Sequence, residues 1–371
     1  MILVLNAGSS SLRCALFRPG EDEPAWRAHV SDIGHNPRLS VDGGAADRKH
    51  PPSGGHANVA QWLIAQLPYP PTAAGHRVVH GGLRYAGPAR LDAGVVAELQ
   101  RLVPLAPAHQ PQALACIRAV GEKWPDLPQV ACFDTAFHCT QDRLAQLYPL
   151  PRALIEEGLV RFGFHGLSYS HVARTCPRGR VLAAHLGHGA SLCAIRDGRS
   201  VATTMGFTTL DGLMMGTRSG AVDPGLILHL IRERGLSPDA VADLLNERSG
   251  LLGVSGISDD VRVLEASQAP EAREALDLFI YRIVREAGSL IAALGGLDTL
   301  VFTGGIGEHA AQIRAAVCHG LAFAGVALDE IANTKGRARV DDASSAVRVD
   351  IVPADEEREI AMSVLAVGNS E

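Results

Sequence analysis

One short plan occurs twice in this chain: a strand, a turn of glycine and small polar residues, and a second strand. In the first copy, the predicted strands 2–5 and 12–17 flank the turn NAGSSS. In the second, the predicted strands 181–184 and 192–195 flank HLGHG, and each copy then carries a cysteine in a similar place (SLRCAL and SLCAI). A recurrence about 180 residues apart predicts two domains built on related units, each presenting one phosphate loop.

The second copy has the features of an anion-binding site. Glycines that bracket polar residues at the end of a strand expose backbone N–H groups, which can wrap an anion. About thirty residues later, the run GTRSG places Arg218 between glycines, where its guanidinium can reach a bulky anion. These features predict a phosphate-handling site. An ordinary hairpin in a glycine-rich protein explains the same stretch equally well, and Asp197-Gly198 itself predicts a hairpin turn.

Composition narrows the class of protein. The chain has 371 residues, 47% hydrophobic and 20% charged, which is ordinary for a globular protein and favours two domains. A net charge of −6, without a basic run interleaved with aromatics, argues against a nucleic-acid partner. Only Lys49, Lys123 and Lys335 are lysines, so any phosphate chemistry must rely on arginine and backbone amides.

The cysteines and the apolar runs bear on the compartment. Seven scattered cysteines without a Cys-x-x-Cys pair are typical of small core residues in a reducing compartment. We find no basic leader with a cleavage site and no apolar run of about eighteen residues. A cytoplasmic protein without a membrane partner is therefore expected.

A third glycine turn lies near the end of the chain. The sequence TGGIGEH (303–309) follows a predicted strand, 299–302, and precedes a predicted helix, 310–318. The first N–H groups of a helix are unpaired and its dipole favours negative charge, so this turn predicts a nucleoside or phosphate site. It lacks the Gly-x-G-x-x-Gly dinucleotide pattern, and the chain has no Gly-Lys pair for a Walker loop.

Four polar residues stand at strand ends or between glycines. Arg77 lies in a strand closed by a glycine pair, Asp134 and Glu356 each follow a predicted strand, and His165 lies within GFHG. A helix N-cap is the alternative role for Asp134, and a structural role is the alternative for His165. Phosphoryl transfer needs a phosphate cradle, a divalent cation on hard oxygens, and positive groups around the transferred phosphoryl group. The residues present fit that inventory.

Eight short motifs occur along the chain. They are NAGSSSL (6–12), HRVVHGG (76–82), FDTAFH (133–138), GFHG (163–166), HLGHGAS (185–191), MGTRSG (215–220), GVSGIS (253–258) and FTGGIGE (302–308). These motifs resemble those of the acetate kinase family, and they occur in the family's order. The resemblance covers nearly the whole chain and is weakest over residues 19–57, which we expect to form exposed hairpins and loops. Residues 250–260 (GLLGVSGISDD) are also expected to form a loop.

The resemblance implies the fold and the division of the chain. The family belongs to the superfamily of actin, sugar kinases and heat-shock ATPases. It therefore implies an α/β protein with two related actin-like ATPase (ribonuclease H-like) domains and an ATP cleft between them. On this basis we place the N-terminal domain at residues 1–137 and 357–371 and the C-terminal domain at residues 138–356. The family also implies a homodimer.

The resemblance further implies an acetate kinase. Such an enzyme transfers the γ-phosphoryl group of ATP reversibly to acetate, with Mg²⁺, and yields acetyl phosphate and ADP. By match to the family's motifs, the catalytic residues would be Asp134, His165 and Arg218. Arg77 would hold the carboxylate of the substrate and neutralise charge.

Metal and nucleotide residues follow from the same match. Asn6 and Glu356 would place Mg²⁺, with Mn²⁺ as an alternative, largely through water and phosphate oxygens. The residues implied in ATP binding are Ser9, Ser11, Arg13, His185, Leu186, Gly187, His188, Gly189, Asp260, Val261, Arg262, Gly305, Ile306, Gly307, Glu308 and His309.

Some of these positions depart from the family's usual residues. Arg13 stands where the family usually has lysine, which keeps the charge but changes its geometry. His188 and His309 stand in place of asparagine, and both can hydrogen-bond, so we expect ATP binding to survive. Val261 stands in place of an aromatic residue beside the adenine, which predicts weaker stacking.

The residues implied around the acyl tail of the substrate also differ in part. Val79 and Phe164 match the family, whereas Ala108 replaces leucine and Thr209 replaces proline. A smaller residue at position 108 should enlarge the pocket. Since a buried methylene contributes about 0.8 kcal/mol, we expect the preference between acetate and propionate to shift by about tenfold at most.

Three other functions are weighed against this one. A kinase of the same class could act on propionate or another short-chain acid. A nucleotide-operated binding or assembly protein could share the fold, although Arg77 and Arg218 would then have no evident purpose. An enzyme that has lost its activity is disfavoured, because the catalytic positions are all retained.

Overall fold

The computed structural model describes residues 1–41 and 50–368. The strands in these ranges are β1 (Ile2–Ala7), β2 (Leu12–Phe17), β3 (Trp26–Ser31), β4 (Arg38–Val41), β5 (Ala73–Val78), β6 (Ala89–Arg90), β7 (Gln129–Phe133), β8 (Arg180–Leu186), β9 (Ala190–Arg196), β10 (Arg199–Thr203), β11 (Thr299–Thr303) and β12 (Arg348–Ile351).

The same ranges contain fifteen α-helices, several of them consecutive in the chain. They are α1 (His56–Ile64), α2 (Ala93–Arg101), α3 (Gln110–Lys123), α4 (Arg143–Gln146), α5 (Arg152–Glu156), α6 (Gly166–Thr175), α7 (Pro224–Arg232), α8 (Pro238–Glu247), α9 (Gly250–Ser255), α10 (Val261–Ala266), α11 (Pro270–Leu294), α12 (Gly304–His309), α13 (Ala311–Gly320), α14 (Glu330–Thr334) and α15 (Glu356–Gly368). Among these described helices, we find none with the length and apolar character needed to span a membrane.

The chain divides into two compact units. The first comprises Met1–Cys139 and Asp355–Glu371, and the second comprises Thr140–Ala354. The domain limits predicted from the sequence follow residues 137 and 356, and each differs by two residues from the limit between the compact units. Asp355 and Glu356, which the predicted limits place in the C-terminal domain, lie in the first unit.

The first unit is built on a sheet in the order β4-β3-β2-β1-β5-β7-β6. Strand β1 pairs antiparallel with β2 and parallel with β5, and β5 pairs parallel with β7. All six residues of β1 are buried, since α15 packs on one side of the sheet and α3 also contacts the strand. A strand that is buried on both faces has a continuous apolar sequence, and the run ILVL therefore predicted β1 from the sequence.

The second unit repeats this arrangement. Its sheet has the order β10-β9-β8-β11-β12, with β8 antiparallel to β9 and parallel to β11, and β11 parallel to β12. The series β9-β8-β11-β12 thus matches β2-β1-β5-β7 in order and direction. The cysteines noted in the sequence lie in equivalent strands, Cys14 opposite Leu5 and Cys193 opposite Ala183. The prediction of two related α/β units is confirmed.

One turn was predicted correctly for a physical reason. Asp197 and Gly198 join β9 to β10 with φ values of 48° and 77°. Both central residues therefore have positive φ, as a two-residue type I′ hairpin requires, and the Asp-Gly dipeptide tolerates this.

Two other stretches differ from the sequence-based prediction, and a third agrees with it. Residues 26–41 lie in the region predicted to form exposed hairpins and loops, and they form the antiparallel pair β3 and β4 at the edge of the first sheet. The stretch 250–260 was expected to be a loop, yet it contains α9. The glycine turn 304–309 is itself a six-residue helix, α12, rather than a loop before one. Residues 42–49, which fall in the predicted loop region 19–57, lie outside the described part of the chain.

Gly75 provides a test of how closely α15 packs on the first sheet. A Cβ at this buried position on β5 would lie 2.5 Å from Ile360 Cγ2 and 2.7 Å from Val364 Cγ2. We expect Gly75→Ala to lower the free energy of unfolding by about 1–3 kcal/mol, because the helix must move away from the sheet. Denaturant unfolding measures this. Gly87→Ala is the control, because nothing lies within 4 Å of its added Cβ; equal stability of the two variants would contradict the expectation.

Candidate active site

In the first unit, the predicted site residues meet at one edge of the sheet. Asn6 is near the end of β1, Arg77 is near the end of β5, and Asp134 follows β7. Because these three strands are parallel to one another, their carboxyl ends lie along the same edge. Glu356 joins them from the first turn of α15.

Arg77 and Asp134 form a buried ion pair. Arg77 Nη2 donates to Asp134 Oδ2 at 2.6 Å, and Arg77 Nε donates to the same oxygen at 3.0 Å. Glu356 Oε2 lies 3.9 Å from Arg77 Nε, and the carbonyl oxygen of Ala7 accepts from Arg77 Nη1 at 3.5 Å. The Arg77 side chain is 14% exposed and that of Asp134 1%. Arg77 is therefore held in place by carboxylates while part of its guanidinium stays accessible.

The pKa values of this pair are shifted by their surroundings. Burial raises the pKa of Asp134 to about 6; the Arg77 cation opposes the rise, and the Glu356 carboxylate adds to it. Burial alone would lower the pKa of Arg77, but Asp134 and Glu356 outweigh it and the pKa is raised. Asp134 Oδ1 is buried and has no hydrogen-bond partner among the described residues. This oxygen is an acceptor that the protein itself leaves unused.

Asn6 is oriented by two glutamates. Its Nδ2 donates to Glu356 Oε2 at 2.9 Å and to Glu357 Oε1 at 2.8 Å. Both amide hydrogens are used, so the amide oxygen is turned away from the carboxylates. Glu357 was not among the predicted site residues. It is buried, its pKa is raised by that burial, and Arg13 Nη1 lies 3.8 Å from its Oε1.

The donor set suits a cation that keeps most of its own ligands. Asn6, Asp134 and Glu356 offer hard oxygens, one of them the unused Asp134 Oδ1. Within residues 1–41 and 50–368, no cluster of three or more His, Cys, Asp or Glu side chains could hold a metal ion alone. Mg²⁺ is commonly bound through one or two carboxylates, with waters and substrate phosphates completing its octahedron. The residues present therefore fit Mg²⁺ better than a metal that needs a full protein cage.

In the second unit, His165 has a constrained backbone and a held ring. Its φ of 59° lies in the left-handed region, which non-glycine residues rarely adopt, and it directly precedes α6. Its Nδ1 is 2.8 Å from Ser191 Oγ, and its ring stacks on that of His185 with centroids 4.2 Å apart. His185 is in turn bonded through Nδ1 to Ser168 Oγ at 2.8 Å. Ser191 and Ser168 are buried residues that the sequence analysis did not single out.

Arg218 lies in a loop, residues 215–218, that is fixed by hydrogen bonds. Its Nη1 donates to the carbonyl oxygen of Thr209 at 2.8 Å. The loop is fixed at the start of α9, where N–H groups that have no partner inside the helix donate to it. These bonds run from Ser249 to Thr217, from Leu251 to Met215, and from Leu252 to Gly216, each at 2.9 Å. The helix that the sequence analysis missed is thus the support for the predicted catalytic arginine.

His165 and Arg218 converge on Gly189. A Cβ built on Gly189 would lie 3.0 Å from Arg218 Nη2 and 3.3 Å from His165 Nε2. Only a residue without a side chain leaves this space between the imidazole and the guanidinium. The turn is tied to the arginine loop by the bond from Gly216 N to the carbonyl oxygen of His188, at 3.2 Å. The two glycine motifs are therefore one structure.

The predicted ATP residues fall into two groups. Several are accessible, as a ligand would require. His188 has a side chain that is 58% exposed and bonds to Asp259 Oδ2 at 3.1 Å, and Arg262 pairs with Asp260 at 2.6 Å. The other positions with some exposure are Ser9, Ser11, Arg13, His185, Gly187, Gly305, Ile306, Glu308 and His309.

Other predicted ATP residues have inward-facing side chains. Val261 is buried in the first turn of α10, and Leu186 and Gly307 are also buried, whereas Gly189 is partly exposed. Glu308 Oε1 accepts from the backbone N–H of Ala354 at 2.9 Å, so that carboxylate oxygen is engaged within the protein. Such residues can serve a nucleotide through their backbone or their packing.

Arg314 supports the third glycine motif and was missed by the sequence analysis. It is 1% exposed and donates to the carbonyl oxygens of Gly307 at 2.9 Å and Glu308 at 2.8 Å, and to Asn333 Oδ1 at 2.8 Å. Burial lowers its pKa. Arg314 therefore satisfies carbonyl groups at the end of α12 that have no partner within that helix.

The four predicted acyl-pocket residues divide between the units. In the first unit, Val79 is buried and Ala108 is exposed; in the second, Phe164 is buried and Thr209 is partly exposed. The segment around Thr209 is anchored by Arg161, whose Nη1 donates to Asp211 Oδ2 at 3.1 Å and to the carbonyl oxygen of Thr204 at 3.3 Å.

The sequence is similar to those of known acetate kinases. The model of the acetokinase family matches residues 1–362. The chain is 47% identical to the acetate kinases of Nitrobacter hamburgensis and Rhodopseudomonas palustris (strain ATCC BAA-98 / CGA009), over 99% and 98% of its length and 96% and 97% of theirs.

Solved structures are similar as well. A crystal structure of Porphyromonas gingivalis acetate kinase has a TM-score of 0.88 and 34% identity, covering 99% of both chains. A propionate kinase from Francisella tularensis subsp. tularensis SCHU S4 has a TM-score of 0.91 and 33% identity, covering 98% of this chain and 99% of that one.

The pKa of Asp134 can be tested in the protein without any ligand. We expect its carboxyl group to titrate at a pKa of about 6, and Arg77→Gln to raise that pKa further, because the cation that opposes burial is lost. Carbon-13 NMR of the side-chain carboxyl groups measures both. Asp260 is the internal control, since its hydrogen bonds from Arg262 lower its pKa. A value for Asp134 at or below the ordinary aspartate value would contradict the expectation.

Proposed function

Because this chain belongs to the acetokinase family, and is therefore a phosphotransferase with a carboxylate as acceptor, we propose that it transfers the γ-phosphoryl group of ATP reversibly to acetate. The products are acetyl phosphate and ADP, and the enzyme acts in the cytoplasm. Its two related α/β units have the actin-like ATPase fold of this family. The observation that carries the proposal is the convergence of Arg218 and His165 on Gly189.

The reaction needs charge stabilisation more than covalent chemistry. An acetate oxygen attacks the γ-phosphorus, the bond to the bridging oxygen of ADP breaks, and negative charge is spread over the equatorial oxygens. Arg218 can donate two N–H groups to such oxygens, and His165 can donate one from Nε2. We assign both residues to the transferring phosphoryl group. Their separate supports, Thr209 O and Ser191, keep them in place before substrate arrives.

Arg77 and Asp134 act on the acceptor in this proposal. The guanidinium of Arg77 pairs with the acetate carboxylate and reduces its repulsion from the phosphates. Asp134 fixes Arg77 by a two-nitrogen contact to one oxygen. Because its pKa is about 6, Asp134 is mostly ionised at neutral pH, and its carboxylate holds the Arg77 cation. As the pH falls below about 6, Asp134 is protonated and this ion pair is progressively lost.

Asn6 and Glu356 would hold Mg²⁺, or Mn²⁺ as an alternative, together with waters and phosphate oxygens. When bound, the cation neutralises phosphate charge. Glu357 contributes by fixing the amide of Asn6, so that the amide oxygen and not the nitrogen is presented to the cation or its water.

The nucleotide is held mainly by backbone groups and accessible side chains in this proposal. The turns at 8–11 and 187–189 supply N–H groups for phosphates, and Arg13 supplies a charge. His188 and His309 offer ring nitrogens in place of amides. The buried Val261 and the engaged Glu308 oxygen argue that these two residues support the adenosine site by packing and by holding α12.

A homodimer is part of the proposal, and the mass in solution decides it. Helix α7 has the sequence PGLILHLIR, and none of its residues is buried. Leu226 and Leu228 are each 47% exposed. An apolar helix with no buried residue is a surface that a second copy can cover.

An alanine at position 189 tests the space between Arg218 and His165. We expect Gly189→Ala to lower kcat for acetyl phosphate formation by about tenfold to a hundredfold, since the methyl group displaces the Arg218 and His165 tips. Hydroxamate trapping of acetyl phosphate from Mg-ATP and acetate measures this. Arg218→Ala should lose activity to a larger extent. Wild-type kcat in both variants would contradict the proposed site.

A series of acids tests which carboxylate the enzyme prefers as acceptor. We expect the wild type to use propionate with a kcat/KM within about tenfold of that for acetate, and Ala108→Leu to shift the ratio towards acetate. The acid series acetate, propionate and butyrate in the same assay tests this. A propionate preference greater than tenfold would favour a propionate kinase. ATP turnover indifferent to any added acid would instead favour a nucleotide-operated protein without kinase activity.

A further inference from the structure

A chain of two hydrogen bonds lies behind His165. Ser191 Oγ is 2.8 Å from His165 Nδ1 and 2.5 Å from the Tyr169 hydroxyl oxygen. Ser191 and Tyr169 are fully buried, Ser191 on β9 and Tyr169 one helical turn beyond His165 in α6. The three groups therefore form one hydrogen-bonded chain, and bulk water does not reach its Ser191 and Tyr169 members.

The direction of this chain is limited by the number of protons. Each hydroxyl group carries one hydrogen, and a neutral imidazole carries one on either Nδ1 or Nε2. Three arrangements satisfy both contacts. In the first, Tyr169 donates to Ser191 and Ser191 donates to Nδ1; in the second, Nδ1–H donates to Ser191 and Ser191 donates to Tyr169. In the third, Ser191 accepts from both and its own hydrogen needs another acceptor, although the described side-chain bonds of Ser191 go to His165 and Tyr169. In the second case the Tyr169 proton would need a further acceptor.

A contact at the far end of the chain favours the first direction. Burial raises the pKa of the Tyr169 hydroxyl, and the backbone N–H of His185 opposes that rise, as a group that donates towards the oxygen does. As an acceptor from that N–H, the hydroxyl has its own hydrogen available for the short bond to Ser191. Ser191 Oγ then accepts from Tyr169, and its hydrogen points to His165 Nδ1.

We propose that Ser191 and Tyr169 are positioning residues that hold neutral His165 with its proton on Nε2. The inference rests on the proposed function and deepens it. Because Nδ1 is occupied as an acceptor, Nε2–H is directed to the space at Gly189, where Arg218 Nη2 also points. The imidazole can then donate to the transferring phosphoryl group without first taking up a proton.

A neutral donor suits the charges that face this ring within the second unit. The Arg218 guanidinium lies on the Nε2 side, and the His185 ring is stacked on the imidazole face. Tyr169 and Ser191 lie on the Nδ1 side, and Cys193 is close enough to Tyr169 to affect its pKa. A second full positive charge on His165 would face Arg218 directly, so the Nε2–H tautomer supplies a hydrogen bond without that repulsion.

The tautomer can be observed directly. Nitrogen-15 NMR of the histidine rings in the full-length protein distinguishes a protonated from an unprotonated ring nitrogen, and a His165→Gln variant assigns the signals. We expect Nε2 of His165 to carry the proton at about pH 8, well above the ordinary histidine pKa of about 6.5. A proton on Nδ1 would overturn the proposal. This measurement needs neither ATP nor activity, so it stands even if the proposed function fails.

Kinetics then test whether the chain matters for the reaction. We expect Ser191→Ala to lower kcat about threefold to tenfold at about pH 8, with little change in KM, since the lost hydrogen bond contributes that much to holding the ring. Part of the loss should be recovered at a pH low enough to protonate the ring, because an imidazolium carries a proton on both nitrogens. The ratio of variant to wild type is the quantity to plot, because the titration of Asp134 affects both enzymes.

Three further variants separate the tautomer from a packing effect. Tyr169→Phe removes only the outer hydroxyl and should change kcat in the same pH-dependent way but to a smaller extent. Ser191→Thr keeps the hydroxyl and should restore most of kcat. Ser200→Ala, which removes another buried serine hydroxyl from the same sheet, should leave the His165 signals unchanged.

The outcomes decide the proposal. A kcat ratio that falls equally at every pH, or Nε2–H signals that survive Ser191→Ala unchanged, would assign Ser191 a structural role only and overturn it. A wild type that forms no acyl phosphate from any acid would instead refute the proposed function, whatever the tautomer.

Discussion

Both parts of the candidate site depend on burying polar groups at the carboxyl ends of parallel strands. A buried charge is costly unless other groups in the protein satisfy it. Arg77 is satisfied by Asp134 and Glu356, and Asn6 by two glutamates. Arg314 has carbonyl and amide oxygens around its guanidinium. These contacts hold the functional groups rigidly before any substrate binds, which is the condition for electrostatic stabilisation of a transition state.

Close backbone approach is the second condition for the site. A side chain at position 189 would displace the Arg218 and His165 tips, because a Cβ there would lie 3.0 Å from Arg218 Nη2 and 3.3 Å from His165 Nε2. His165 itself adopts a left-handed backbone conformation, which costs roughly 1–2 kcal/mol for a residue with a side chain. Stacking on His185 and the bond to Ser191 hold it there. The strain and the support are both found at the residue proposed to touch the phosphoryl group.

Prediction from the sequence succeeded where the signal was local. The buried strands β1 and β8 were visible as apolar runs, and Asp197-Gly198 as a hairpin turn, because neighbouring residues alone decide these features. Prediction was wrong for α9 and α12, which are single short helices of six residues. They are too short to show helical periodicity, and their stability comes from bonds to other loops.

The sequence by itself determined the repeated strand plan, the three glycine motifs and the identities of the charged residues, since these depend on residue type and spacing. The tertiary structure alone decided their partners. Ser191 meets His165 across 26 positions, and Glu357 meets Asn6 across 351 positions. Such contacts depend on how the strands of each sheet are ordered and paired, and no local pattern contains that information. Which nitrogen of His165 presents its proton is likewise a property of the folded chain.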